Sequence, residues 1–296
     1  MSRPRILLLG TSGQLGWELQ RGLGAAGELE ALGRSEIDVT RRDELQQALR
    51  AARADVIVNA TAYTAVDRAE SEPGLAQAVN ADAPAVMAEA ARESGAALIH
   101  FSTDYVFDGR TDRPYLESDA ANPLGVYGQS KLEGERAIQA IGGAYVILRT
   151  SWVYSLRRKS FVTQVMAWAR SQQTVRVVSD QVGNPTWARA LAEATVALIE
   201  RAGPRPAPSL AADAGIYHLA GAGIANRFEW AQAIVELDPR PDELIMQDLE
   251  AAAERDFPMA ARRPLFSALD CSLFEETFGL RLPPWREALH AAMSKA

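Results

Sequence analysis

The chain has 296 residues, 48% of them hydrophobic and 23% charged, enough to bury one large core or two modest ones. Its 31 basic and 38 acidic residues leave a formal charge of -7, which argues against a nucleic-acid binder held by phosphate neutralisation. A lone cysteine, Cys271, cannot close an internal disulfide, and His100, His218 and His290 lack metal-ligand spacing, so a reducing compartment is expected.

In chain order, the basic start leads into an apolar run, Ile6 to Leu9, that is too short for a signal-peptide core and ends in glycine; it reads as a strand. No later stretch has the length of a membrane span, so a soluble, cytoplasmic protein without a membrane partner is expected. Short apolar runs then alternate with amphipathic stretches, the pattern of repeated βαβ units. The expected strands are 5–9, 29–32, 56–59, 98–102 and 145–150. Leu15, Leu19 and Leu23 share one helical face, and Pro73 opens an alanine-rich helix to about Glu93. Strands buried on both faces imply a parallel sheet.

Beyond Thr150 the rhythm changes to a helix around 161–171, a strand at 175–179 and a helix from Ala188 to about Arg201. The GPRPAP stretch at 203–208 reads as a surface loop, because proline removes backbone donors. A strand at 216–219, a helix capped by Asn226, and pieces around 271–278 and 285–293 complete the chain.

Directly after the first strand stands Gly10-Thr11-Ser12-Gly13-Gln14-Leu15-Gly16, three glycines at a strand-to-helix turn. There a glycine tolerates unusual φ, another admits a pyrophosphate to the backbone, and the helix N-terminus offers donors and a positive dipole. A tight turn with incidental glycines is the plain alternative. Near the second strand's end, where an acidic residue would hold a ribose 2′-hydroxyl, the chain offers Gly33-Arg34-Ser35. A guanidinium there suits a 2′-phosphate and tilts the expectation to NADPH, with NADH as second choice and Asp38 near the adenosine end.

Tyr127 and Lys131 stand at i and i+4 near the start of a helix toward Ile141, on one face. An adjacent ammonium would favour the phenolate and lower the tyrosine pKa from near 10. Upstream, Ser102, Thr103 and Asp104 end the fourth strand at the sheet's carboxyl edge, where open α/β proteins bind ligands. Hydroxyls that merely satisfy strand-end backbone are the alternative.

These elements, with the segments GTSGQLGWELQ, VIVNATAYTAVDRAESEP, HFSTDYVFDG, NPLGVYGQSKLEGE, RTSWVY, DQVGNPT and ARRPLFSALD, closely resemble the dTDP-4-dehydrorhamnose reductase family of the extended short-chain dehydrogenase/reductases, along nearly the whole chain. The resemblance implies a Rossmann-type, doubly wound parallel sheet with a smaller C-terminal α/β substrate domain. The expected division is residues 1–150 for the dinucleotide, with 187–215 returning to them, and 151–186 with 216–296 for the sugar nucleotide. It also implies reduction of a dTDP-linked 4-keto sugar, with Thr103, Tyr127 and Lys131 as the catalytic set. Gly10, Ser12, Gly13, Gln14, Leu15, Asp38, Val39, Ala62, Tyr63 and Thr64 would line the coenzyme, and Asp104 and Trp152 the sugar nucleotide.

The residues themselves suggest Arg262 and Arg263 for the diphosphate, against a surface ion pair, and Asn184 near the nucleotide, against an ordinary turn. The basic run Arg157-Arg158-Lys159 reads as solvated surface. Some relatives are dimers bridged by magnesium (Mg2+) through glutamates; Glu18 fits that pattern, but Arg189 stands where a second glutamate would align, so the bridge is not expected and monomer and homodimer both remain open. Two other readings stand beside the reductase. One is a non-catalytic regulatory subunit like the beta subunit of methionine adenosyltransferase, and the other a sugar-nucleotide epimerase or dehydratase.

Overall fold

Alternation along the first strand decides the architecture, because Ile6 and Leu8 point to one side and Leu7 and Leu9 to the other, and all four are buried. In the computed structural model, which describes residues 3–294, helices cover both sides. The first half runs β1 (Arg5–Leu9), α1 (Gln14–Ala26), β2 (Glu28–Leu32), α2 (Arg42–Ala52), β3 (Val56–Asn59), α3 (Val66–Ala69), α4 (Pro73–Gln77), α5 (Ala83–Ser94), β4 (Ala97–Thr103), α6 (Val126–Ile141) and β5 (Ala144–Thr150). The second runs β6 (Val153–Tyr154), α7 (Phe161–Ala169), β7 (Thr174–Val178), β8 (Val182–Gly183), β9 (Thr186–Trp187), α8 (Ala188–Ala202), α9 (Pro206–Ala212) and β10 (Gly215–His218). It closes with β11 (Ala225–Asn226), α10 (Arg227–Glu236), β12 (Asp248–Ala252), α11 (Ser272–Phe278) and α12 (Trp285–Met293).

Six parallel strands form the central sheet in the order β10-β5-β4-β3-β1-β2. Leu19 and Leu23 of α1 and Leu191 and Leu198 of α8 pack on one face. Leu45 and Leu49 of α2 and Val86 and Met87 of α5 pack on the other. At about 1.5–3 kcal/mol for each fully buried large aliphatic side chain, these two layers dominate the folding energy. A separate core gathers Val162 and Val165 of α7, Trp230 and Ile234 of α10 and Leu289 of α12 beside the parallel pair β7 and β12. Buried Arg149 of β5 donates to both carboxylate oxygens of Glu135 on α6, at 2.9 and 2.7 Å, fixing that helix against the sheet.

Four details depart from the sequence expectation. A division after residue 215 cuts β10 from its own sheet, since Gly215–His218 pairs with Val146–Arg149 of β5, and Phe274 of α11 also packs in that core. The helix from Pro73 is interrupted by a π turn, Ala78–Asp82. It turns the Asn80 side chain onto the Tyr63 backbone, accepting from its N–H at 2.8 Å and donating to its carbonyl at 3.1 Å. Within GPRPAP, Pro206 begins α9, a position where the missing donor costs nothing. Strand β12 carried no readable apolar run, because most of its residues are exposed.

Candidate active site

The β1–α1 turn forms one wall of a cleft of about 740 Å³ at the carboxyl edge of the sheet. Gly10 has φ of +97°, and a Cβ there would stand 2.7 Å from the Ala60 carbonyl carbon. A Cβ on Gly16 would lie 2.0 Å from the Gly10 oxygen. These two glycines therefore let loop and helix close on each other. Gly13 caps α1 with no side-chain hydrogen bond, leaving first-turn N–H groups uncapped beside Gly13, Gln14 and Leu15 in the cleft wall. Ala62 and Thr64 also line the cleft, which holds buried polar atoms with no hydrogen-bond partner among the described residues: Gln14 Oε1, Ser102 Oγ and Thr150 Oγ1. An uncapped helix start, a backbone-deep cradle and unclaimed polar atoms fit a dinucleotide.

Other expected coenzyme positions lie around this wall rather than in it. Ser12 is exposed in the turn and Arg34 is exposed past β2. Asp38 is exposed too, accepting from the Thr40 backbone at 3.0 Å and hydroxyl at 2.7 Å, bonds that hold its carboxyl below the usual range. Val39 packs against the core beside α2, and the Tyr63 hydroxyl donates to Glu72.

The opposite wall starts where β4 ends. Thr103, Asp104, Tyr127 and Lys131 all line the cleft. Thr103 donates to Asp104 Oδ1 at 3.1 Å, while Ser151 and Ser267 donate to Oδ2 at 3.1 and 2.5 Å. Burial lifts the Asp104 carboxyl to about 6, against the pull of those hydroxyls and of Arg227. Burial also pushes the Tyr127 phenol above its ordinary value of 10; a hydrogen bond with Thr103 works the other way. Lysine does not acidify this tyrosine here: Lys131 Nζ is buried and donates to the Phe101 carbonyl at 2.6 Å, with His100 Nε2 at 3.2 Å. The shared helical face is as expected, but the ammonium's reach is spent on β4.

Trp152 has φ of 45°, rare for a bulky residue. It stacks on Trp230, ring centroids 5.7 Å apart, with the Arg227 guanidinium 3.6 Å from its own centroid. Arg227 faces Phe161 and Trp230 as well and has no hydrogen bond or ion pair from its guanidinium among the described residues. Burial draws its pKa down to about 10. The sequence reading missed this cation because its cage comes from three separate segments. Arg158 and Lys159 are exposed, as expected for a solvated run, and stand at the edge of the cleft.

Three expected substrate residues stand outside the lining. Asn184 is a buried clasp: its side chain donates to the Gly223 carbonyl at 3.0 Å and accepts from the Leu269 N–H at 2.8 Å. Arg262 is exposed, whereas Arg263 is half-buried and pairs with Asp67 at 2.7 Å, so the two do not act as one cationic unit. Arg189 pairs with Glu193 at 2.9 Å, and burial raises the Glu18 carboxyl nearby. Among the described residues, no three His, Cys, Asp or Glu side chains group as a metal site.

A proton-bearing tyrosine and a dinucleotide-shaped turn thus share one cleft, the arrangement of a nicotinamide-dependent oxidoreductase of the extended short-chain class. Comparison with known proteins narrows the class. Residues 4–296 match the family model described as RmlD substrate binding domain. The dTDP-4-dehydrorhamnose reductase of Burkholderia thailandensis is 39% identical over 288 residues, 96% of each chain, and that of Escherichia coli 41% over 286 residues, 95% of this chain and 94% of the other. A crystal structure of dTDP-4-dehydrorhamnose reductase from Bacillus anthracis in complex with NADP superimposes with a TM-score of 0.89 at 29% identity, covering 99% of this chain and 100% of that one. The chain belongs to the dTDP-4-dehydrorhamnose reductase family.

Proposed function

We propose that the chain reduces dTDP-4-dehydro-L-rhamnose to dTDP-L-rhamnose at the expense of NADPH. The observation that carries this reading is the cleft itself, with an uncapped glycine turn on one wall and Thr103, Asp104 and Tyr127 on the other, in a chain similar over nearly its full length to reductases of that name. When bound, the nicotinamide supplies hydride to the 4-keto carbon. Everything else falls to the protein. Tyr127, kept protonated by burial, gives its phenolic proton to the carbonyl oxygen as charge develops there. Thr103, whose hydroxyl donates to Asp104 when no substrate is present, turns that proton to the same oxygen. Asp104, held through Oδ2 by the Ser151 and Ser267 hydroxyls, takes a sugar hydroxyl on Oδ1 once Thr103 has turned away.

The diphosphate of the substrate is assigned to Arg227, with Arg158 and Lys159 beside it, in place of Arg262 and Arg263. Arg34, exposed at the end of β2, is assigned to the coenzyme 2′-phosphate, and Asp38 and Val39 to the adenosine side. No helix among the described residues is long and apolar enough to cross a membrane, and the reading takes the enzyme as cytoplasmic, a monomer or homodimer.

The test is turnover of NADPH with dTDP-4-dehydro-L-rhamnose, followed by NMR of the product at C4. Stoichiometric coenzyme consumption with the rhamno configuration supports the reading. Tightly retained NAD with no net consumption would mark an epimerase or dehydratase, and binding without turnover a regulatory subunit.

A further inference from the structure

Arg263, near the C-terminal end, crosses to the first half of the chain, where Asp67 of α3 holds it. Asp67 Oδ2 accepts from Arg263 Nη2 at 2.7 Å, while Oδ1 accepts from Nη1 at 3.3 Å and from the Ala261 N–H at 3.1 Å. Nη1 donates to the Ala261 carbonyl as well, at 3.2 Å. Fastened in this way, the guanidinium meets the phenol hydroxyl of Tyr105, the residue after Asp104. Tyr105 lines the cleft and Arg263 does not. Whatever Arg263 does for a ligand therefore passes through that phenol.

The hydrogen-bond roles in this contact have one solution. A guanidinium only donates, so the Tyr105 oxygen accepts from Arg263 and its own hydrogen points elsewhere. Nothing among the described residues takes that hydrogen. The ring is held too, edge-on to Tyr127 with centroids 5.6 Å apart. Burial keeps the phenol above its ordinary 10 in spite of the charges of Arg227 and Arg263, so the hydrogen stays on the oxygen. An oxygen standing in the field of two cations offers its hydrogen best to an anion.

We propose that Tyr105 is a further binding residue for the sugar nucleotide, donating its phenol hydrogen to an oxygen of the diphosphate that Arg227 holds, with Arg263 and Asp67 fixing its direction. The proposal rests on the cleft being a site for a nucleoside-diphosphate sugar. Arg263 is then a positioning residue, and its pairing with Asp67 serves the ligand without touching it. The clasp spans 196 positions of sequence, so it sets the phenol only when both ends of the chain have folded together.

The test is calorimetric titration of the full chain with dTDP and, separately, with NADPH. Tyr105→Phe keeps the ring against Tyr127 and removes only the hydroxyl. It should weaken dTDP about ten- to hundredfold, the range for a hydrogen bond to a charged group, and leave NADPH within about twofold. Unchanged dTDP affinity would overturn the proposal. Equal losses for dTDP and NADPH would overturn it too, by turning the phenol toward the coenzyme.

Arg263→Met should weaken dTDP by less than Tyr105→Phe does, and should add no more than about twofold when Tyr105 is already Phe. A merely structural arginine, or one that meets the ligand directly, predicts losses that multiply, and that result would overturn the positioning role. UDP separates this proposal from the reading of the substrate. A wild type that binds UDP but not dTDP would end that reading, and the same variants titrated with UDP would still decide the role of Tyr105. A wild type that binds neither overturns both.

Discussion

The Arg227 guanidinium carbon lies 3.6 Å from the Trp152 ring centroid, closer than to either of the other rings around it, at 4.9 and 5.5 Å. A cation so enclosed has no carboxylate hydrogen-bonded to it among the described residues and only the field of the nearby Asp104 to offset its charge. Arg227→Met should raise KM for the sugar nucleotide about ten- to hundredfold, as expected for a charged hydrogen bond of about 1.5–3 kcal/mol, with a smaller change in kcat. NADPH affinity should stay unchanged. Equal losses for coenzyme and sugar nucleotide would move the guanidinium to the coenzyme side.

Tyr127→Phe removes a proton donor while keeping the ring that meets Tyr105 edge-on at 5.6 Å. The expected result is a fall in kcat of about a hundred- to ten-thousandfold with NADPH binding retained. Because burial raises the phenol above its ordinary pKa, the wild-type kcat should show no loss from Tyr127 ionisation below about pH 10. An alkaline limb near neutrality that disappears in the variant would contradict this.

Gly16→Ala places a methyl group 2.0 Å from the Gly10 oxygen, backbone that cannot swing aside. NADPH affinity should drop by about tenfold or more, measured by fluorescence titration, as the turn opens. Gly24→Ala, in the same helix with nothing within 4 Å, is the control and should bind normally with stability up by about 1 kcal/mol.

Asp104 ties stability to pH. Its folded pKa, about 6, lies above the ordinary 3.8, so the folded state holds a proton that the unfolded chain releases first. The residue's contribution is fully present below about pH 4, declines as pH rises to about 6, and is gone above that. Asp104→Asn cannot titrate. Its unfolding free energy relative to wild type should therefore rise by roughly 2–3 kcal/mol between about pH 4 and pH 7, then level off, in urea titrations. A difference independent of pH would mean that Asp104 is not desolvated.

What the sequence made legible was local. The glycine turn, the parallel strands and the Tyr127–Lys131 spacing depend on residues a few positions apart, and the structure keeps each of them. What escaped depends on chain segments meeting from afar. Arg227 carries no motif; only the approach of Phe161, Trp152 and Trp230 distinguishes it from a solvated helix-start arginine. Arg263 looked like a phosphate ligand beside Arg262 until Asp67, from the other end of the chain, claimed it. The partners of the Lys131 ammonium escaped for the same reason, since Phe101 and His100 reach it from the neighbouring strand.

The left-handed backbone at Trp152 has a practical consequence for reshaping the proposed sugar side of the cleft. A Cβ on Gly183 would come within 2.6 Å of the indole, so the two positions are interlocked and only one of them can carry bulk. Trp152→Gly would vacate the wall and at the same time release a torsion that glycine tolerates freely, making room for a larger side chain at 183. Altered sugar preference is thus most cheaply engineered by exchanging that pair together, whereas enlarging residue 183 first would jam the indole against its neighbours.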